Sequence, residues 1–412
     1  MLQFERFTLD NGLKVLVHID ETTPMAAMNI IYDVGARDEE PQRTGFAHLF
    51  EHLMFGGSIN IPEYDEPLQM AGGENNAYTT NDITNYYIQL PLKNLETAFW
   101  LESDRMLSLA FSEKSLDVQI KVVSEEFKEH YLNKPYGDAW HHLRTLAYTM
   151  HPYQWPTIGK DLQQIEETKL DDVKAFFAKH YNPLNAVMCI AGNVNVEEVK
   201  KLSEKWFGSI PAGNKYHRNI VAEPTQFSAR EKTIFSDVPY DAIYKCWHIA
   251  ARLTPGYYPA DLLTEIMGSG FSSRLYQRLV KEQHLFSSLQ AYQTGSLEPG
   301  LFVVEGKIRD GISLEVANAA IEKEMDLLVE DGVTEIELEK SKNKIEAMIA
   351  FEDMSLLSRA NNLAFYELLG DAELINEEWN RYNAVTTASM QETAKEIFRK
   401  ENCSTLFYKR KL

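Results

Sequence analysis

The chain repeats itself, and this constrains its fold more than any other feature. The stretch DDVKAFFAKHYNPLNAVMCIAG (171–192) reads as a helix running into an apolar strand, and ASMQETAKEIFRKENCSTLFYKR (388–410) closes the chain on the same pattern. AAMNIIYDVGARDEE (26–40) pairs with DAIYKCWHIAARLTP (241–255), each a strand that ends on Ala-Arg. SEKSLDVQIKVVSEEFKE (112–129) has its counterpart in TEIELEKSKNKIEAMIAF (334–351). These echoes keep their order at a spacing of about 210 to 220 residues, as a duplicated domain would. The polar stretch 209–226, marked by Pro211, Gly213 and Pro224, is the natural joint. Two homologous halves, 1–212 and 225–412, are therefore expected.

Each half mixes β-branched runs with long helical ones, as at 93–109, 112–132, 195–207 and 313–330. The opening residues read as two strands around a turn at Asp10-Asn11-Gly12, and 76–91 alternates like one half-buried or edge strand. The expected class is α+β, each half a mostly antiparallel sheet layered with helices. A length of 412 residues is too long for one compact domain and suggests two or three.

The net charge of −20 argues against nucleic acid and anionic membrane surfaces as partners. No run approaches the roughly 18 apolar residues of a membrane span, and the first residues lack a signal-peptide layout, so a cytoplasmic location is expected. Cys189, Cys246 and Cys403 are distant in sequence and odd in number, which suits buried free thiols rather than a disulfide framework.

Aligning the halves isolates one anomaly. AHLFEHLM (47–54) falls against ADLLTEIM (260–267), so His48 meets Asp261, Glu51 meets Thr264 and His52 meets Glu265. The apolar positions persist while the histidines vanish. Packing explains the leucines, and something special to the first half must explain the polar trio. On a helix, His48 and His52 are four residues apart and share a face, so two imidazoles can reach one metal ion. Glu51 is then placed to touch water on that ion rather than the ion itself, and a carboxylate there can shuttle a proton. A bland alternative is a pair of core histidines hydrogen-bonded to Glu51. A third ligand would favour the metal, and Glu125, Glu126 and Glu129 on the helical stretch 119–137 are all available.

With DVGARDE, GFAHLFEHLMFGGS, AGGENNAYTTNDITNYY, QIKVVSEEF…NKPYG and FSSRLYQRLVKEQHLF taken together, the chain resembles the inverzincin peptidases. These are the HxxEH zinc peptidases of the pitrilysin, insulin-degrading and mitochondrial-processing type, and motif wording and length look most like the short bacterial branch. The resemblance implies one Zn²⁺ held by His48, His52 and Glu126, with Glu51 as catalytic general base. It implies a Gln119 position that supports the site from behind, where the family often has glutamate. It also implies a strand edge, with Asn76, Ala77 and Tyr78, that pairs with an extended substrate. The fold it implies is half of a clam-like chamber.

The second half departs from the family frame Leu-Arg-Glu-x-x-Gly-Leu-Ala-Tyr, whose arginine and tyrosine hold substrate. Here LVKEQHLFS (279–287) puts Val280 and Ser287 in those places, and Arg278 and Tyr292 are nearby at the wrong separation. The expectation is a zinc-bearing metalloendopeptidase subunit that cleaves unfolded peptides with a homologous partner supplying the arginine and tyrosine. The competing class is a non-catalytic scaffold or assembly subunit, whose relatives commonly lose metal-site residues.

Overall fold

The computed structural model describes residues 1–411. Six strands form the first sheet: β1 (Glu5–Thr8), β2 (Lys14–Ile19), β3 (Met25–Tyr32), β4 (Glu74–Thr79), β5 (Thr84–Pro91) and β6 (Ala186–Gly192), in the order β1-β2-β6-β3-β5-β4. Five form the second: β7 (Arg230–Ser236), β8 (Ala242–His248), β9 (Phe286–Gln293), β10 (Leu301–Ile308) and β11 (Cys403–Arg410), in the order β7-β11-β8-β10-β9. The two sheets share a topology. In the first, β2 runs parallel to β6, and β6-β3, β3-β5 and β5-β4 are antiparallel. In the second, β7 runs parallel to β11, and β11-β8, β8-β10 and β10-β9 are antiparallel. The repeats in sequence are thus repeats in topology, with β1 as an addition to the first sheet.

The hairpin at Asp10-Asn11-Gly12 forms as expected, with Gly12 at φ 90° where a side chain would be strained. Residues 76–91 depart from their expected reading: they are two strands, not one. Thr80 makes the turn, its N–H donating to the Ile83 carbonyl at 2.8 Å while its hydroxyl accepts from Asp82 and Ile83 N–H at 3.0 Å each. Alternation continues through so short a turn, which hid it in the sequence.

Compactness follows a different partition from the contiguous halves 1–212 and 225–412. One unit is Met1–Phe127 with Pro156–Ile220 and Ile349–Glu378; the other is Lys128–Trp155 with Val221–Met348 and Trp379–Leu412. In the first unit, helix Leu356–Leu368 lays Leu356, Ala360 and Leu363 against Ala27, Ile31, Val187 and Cys189 of the sheet. In the second, helix Ala139–Ala147 lays Ala139, Leu143 and Ala147 against Ala242, Tyr244, Leu406 and Tyr408. Both stripes have helical spacing, and each covers the sheet of the opposite sequence half. A covering helix explains why β3 and β6 read as nearly continuous apolar runs, buried on both faces. All three cysteines are buried and free, and among the described residues no helix is long and apolar enough to cross a membrane.

Candidate metal centre

Helix Phe46–Leu53 buries Phe46, Ala47, Leu49, Phe50 and Leu53, and Phe50 stacks on Tyr181 with ring centroids 5.1 Å apart. That packing decides which way the opposite side faces. His48, Glu51 and His52 lie half-buried on it. Its start needs Gly45, at φ 91°, where an added Cβ would sit 2.7 Å from the Ile158 carbonyl oxygen. The Glu39 carboxylate caps it from outside, one oxygen accepting from Gly45 N–H at 2.9 Å and the other from Ala47 N–H at 2.8 Å.

Helix Glu113–Phe127, which buries Leu116, Val123 and Phe127, packs against this helix. It brings Glu126 to the imidazoles. One carboxylate oxygen lies 3.8 Å from His48 Nε2 and the other 3.5 Å from His52 Nε2. One ligand atom from each of the three residues falls within 4.8 Å of the others. Zinc bonds of about 2.0–2.2 Å place tetrahedral ligand atoms about 3.3–3.6 Å apart. Two imidazole nitrogens and a carboxylate also suit zinc chemically, so the residues fit the ion.

Burial first, and then neighbouring His52, hold His48 well below its ordinary pKa, at about 4, against the opposing pull of Glu126. A neutral imidazole keeps the lone pair a metal needs. Burial pushes the Glu51 carboxyl upward, while a hydrogen bond from Thr79 opposes it. That bond, from the Thr79 hydroxyl to Glu51 Oε2, is 2.6 Å long. The sequence reading missed Thr79, although it alternates in phase with the half-buried Asn75 and Ala77 on β4.

The other expected residues fall in two places. Gln119 is half-buried two turns before Glu126. Asn76, Ala77 and Tyr78 lie on β4, which ends its sheet, with Asn76 and Tyr78 exposed. Ala77 N–H donates to the Asn76 side-chain oxygen at 2.8 Å. In the second unit Val280 is buried in a π-helical turn, and exposed Ser287 donates to the Lys307 carbonyl at 3.2 Å. Arg278 is paired with Glu324 at 2.6 Å, and Tyr292 donates to Glu305 at 3.0 Å.

Residues 14–161 match the family described as Insulinase (Peptidase family M16), and residues 168–345 match the domain described as Peptidase M16 inactive domain. The chain is 28% identical to a zinc protease, PqqE, of Helicobacter pylori, across 98% of this chain and 92% of that protein. A probable mitochondrial-processing peptidase subunit beta of Arabidopsis thaliana is 25% identical across 72% of this chain and 58% of its own length. The crystal structure of a protease from Helicobacter pylori superposes with a TM-score of 0.93 at 27% identity, covering 99% of this chain and 100% of that one. Two M16 domains in series, and relatives named as zinc proteases, support a peptidase-like role and a place for this chain in the pitrilysin and processing-peptidase family.

Proposed function

We propose that the chain is a zinc metalloendopeptidase subunit that hydrolyses unfolded peptides. The observation that carries this reading is the convergence of His48, His52 and Glu126, with Glu51 beside them in the grip of Thr79. Zinc, when bound by these three side chains, supplies Lewis acidity, polarising the scissile carbonyl and making water more acidic. Glu51 takes the proton of the attacking water and returns it to the departing amine, a task suited to a carboxyl pushed upward by burial. Thr79 holds Glu51 in place through its hydroxyl.

The open edge of β4 receives the substrate as an added strand, with affinity from backbone hydrogen bonds. Ala77 N–H, now satisfied by Asn76, is a donor that an extended peptide takes over, leaving the Asn76 side chain to hold the peptide backbone. Folded proteins offer no free strand and are excluded.

With Val280 buried and Ser287 bonded to a carbonyl, a homologous partner supplies the arginine and tyrosine. The likeness to a protein named as a processing-peptidase subunit supports this arrangement. The intact donor set weighs against the scaffold reading.

Metal analysis of the purified chain tests the proposal. About one zinc per chain is expected, with His48→Ala, His52→Ala and Glu126→Gln each removing most of it. Normal zinc after Glu126→Gln would move the third ligand to Glu129 or Glu125. Isolated, the chain should cleave unfolded peptides poorly, and titrating in the homologous partner should raise the rate about 10²–10³-fold. Strong activity alone, unchanged by any partner, would remove the heterodimer from the proposal.

A further inference from the structure

The helix that carries His48 and His52 has no cap of its own. Its first residue outside, Gly45, offers no side chain, yet the N–H groups of a first helical turn need acceptors. The segment before it contributes one that is itself buried: Glu39 is 7% exposed and spends one oxygen on Gly45 N–H and the other on Ala47 N–H. Ala47 immediately precedes His48. A helix of 8 residues has little stability of its own, so its ends decide its geometry. The carboxylate also sits at the positive end of the helix dipole, where negative charge is favoured.

The same short segment reaches the other side of the site. Two residues before Glu39, Arg37 pairs with Asp82 at 3.0 Å, and Arg37 N–H donates to the Asn81 carbonyl at 2.8 Å. Asn81 and Asp82 form the turn of the hairpin that carries Thr79. Residues 37–39 thus hold both the helix of the imidazoles and the hairpin that grips Glu51.

We infer that Glu39 is a positioning residue of the metal centre: by gripping the first helical turn it sets the reach of His48 and His52 toward Glu126, and so the metal affinity of the site. This rests on the metal reading above. Glu39 touches neither ion nor substrate and acts through the helix backbone.

The test is equilibrium binding of Zn²⁺ and Co²⁺ to the full chain, in competition with a chromophoric chelator. Glu39→Gln keeps the size of the side chain but loses its charge and one acceptor. It should weaken both metals about 10–100-fold, the range for groups that orient metal ligands, and alter the visible spectrum of the cobalt form. Glu39→Asp keeps the charge and should recover part of the affinity. Glu367→Gln is the control, because Glu367 is 2% exposed in the same unit and pairs with Lys14 and Arg6. It should lower thermal stability and leave metal affinity unchanged.

Parent-like affinity and spectrum in Glu39→Gln would overturn the inference and leave the metal reading intact. An equal loss in Glu367→Gln would also overturn it, by exposing a general loosening. Should Glu39→Gln fail to fold, Glu39→Asp decides: full parental affinity despite its shorter reach overturns the inference, and a partial loss supports it. A parent chain that binds neither metal would bring down the metal reading itself.

Discussion

Helices Phe46–Leu53 and Tyr257–Gly268 sit at corresponding places in the two sequence halves and satisfy their polar faces in opposite ways. In the first, two imidazoles converge on the carboxylate of Glu126 and form a donor set with room for a cation. In the second, the counterpart of His52 is Glu265, and it is ion-paired with Lys344, whose ammonium also donates to the Ser269 hydroxyl at 2.6 Å. Lys344 lies on the helix that corresponds to the one carrying Glu126. Asp261, the counterpart of His48, accepts from the Tyr382 hydroxyl at 2.6 Å, and Thr264, the counterpart of Glu51, donates to the Asp261 carbonyl at 2.7 Å. One scaffold therefore brings a polar helical face against a second helix twice. Where the chain provides its own tethered cation the carboxylate is paired from within, and where it provides only donors the proposed zinc completes the set.

The largest expected effect breaks the comparison at its chemical end. Glu51→Gln should keep the zinc, since Glu51 is not one of the three converging donors, and should cut peptide turnover by about 10²–10⁴-fold, as loss of a general base does. Thr264→Val, at the corresponding place, should leave turnover unchanged. Zinc content and single-turnover cleavage, measured together on the two variants, check both halves of the statement. Near-parental cleavage by Glu51→Gln would end the proposed mechanism.

Much of this contrast is legible in the sequence. The i, i+4 spacing of His48 and His52, and their absence from the aligned stretch 260–267, singled out the first half on helical geometry alone. Glu126 was a different matter. Spacing left Glu125, Glu126 and Glu129 equivalent, and the resemblance of QIKVVSEE to a family octet chose among them; the structure independently brings Glu126 to the imidazoles. Three features were hidden. The Thr80 turn lies inside an alternating run whose period hardly changes across it. The stripe Leu356, Ala360, Leu363 demands an apolar partner without specifying which sheet supplies it, so the exchange of covering helices could not be read. Glu39 reads as one more acidic residue in GARDEE (35–40), because capping of a glycine-started helix from six residues upstream leaves no periodic signal.

A smaller effect sharpens the comparison from the other side. Lys344→Met removes the tethered cation and leaves Glu265, whose side chain is 17% exposed, without its main partner. Since the lysine is 44% exposed and solvent screens the pair, the expected loss of stability is about 1 kcal/mol. Adding Glu265→Gln should restore most of it, because no uncompensated carboxylate then remains. Urea midpoints of the single and double variants measure the coupling. Zinc content should be untouched throughout. A change in zinc on losing Lys344 would mean that the two corresponding places are energetically linked and cannot be treated as separate solutions.

The smallest effect concerns how the second helix of each pair is anchored. In the aligned stretches 112–129 and 334–351, Ser115 corresponds to Glu337. Ser115 makes a long 3.5 Å contact with the Gly56 carbonyl, just past the helix of the imidazoles. Glu337 instead binds Arg274 through both carboxylate oxygens at 2.7 Å, and it accepts from the N–H and hydroxyl of Thr334 at 2.9 Å each. Burial alone would raise its pKa, but Arg274 and Thr334 outweigh that and hold it at about 2, against an ordinary 4.5. A carboxyl whose pKa is lower in the folded chain stabilises the fold fully above its ordinary value. That stabilisation is lost as pH falls from about 4.5 toward about 2. Allowing for solvent, the contribution at neutral pH is on the order of 1 kcal/mol. Glu337→Gln should therefore be less stable than the parent at pH 7 by that amount, with the gap closing as the pH drops through this window. Ser115→Ala should show no such pH-dependent gap. Chemical unfolding of the three proteins at several pH values decides it, and a Glu337→Gln deficit that stayed constant down to pH 2 would show that shape, not charge, anchors this helix.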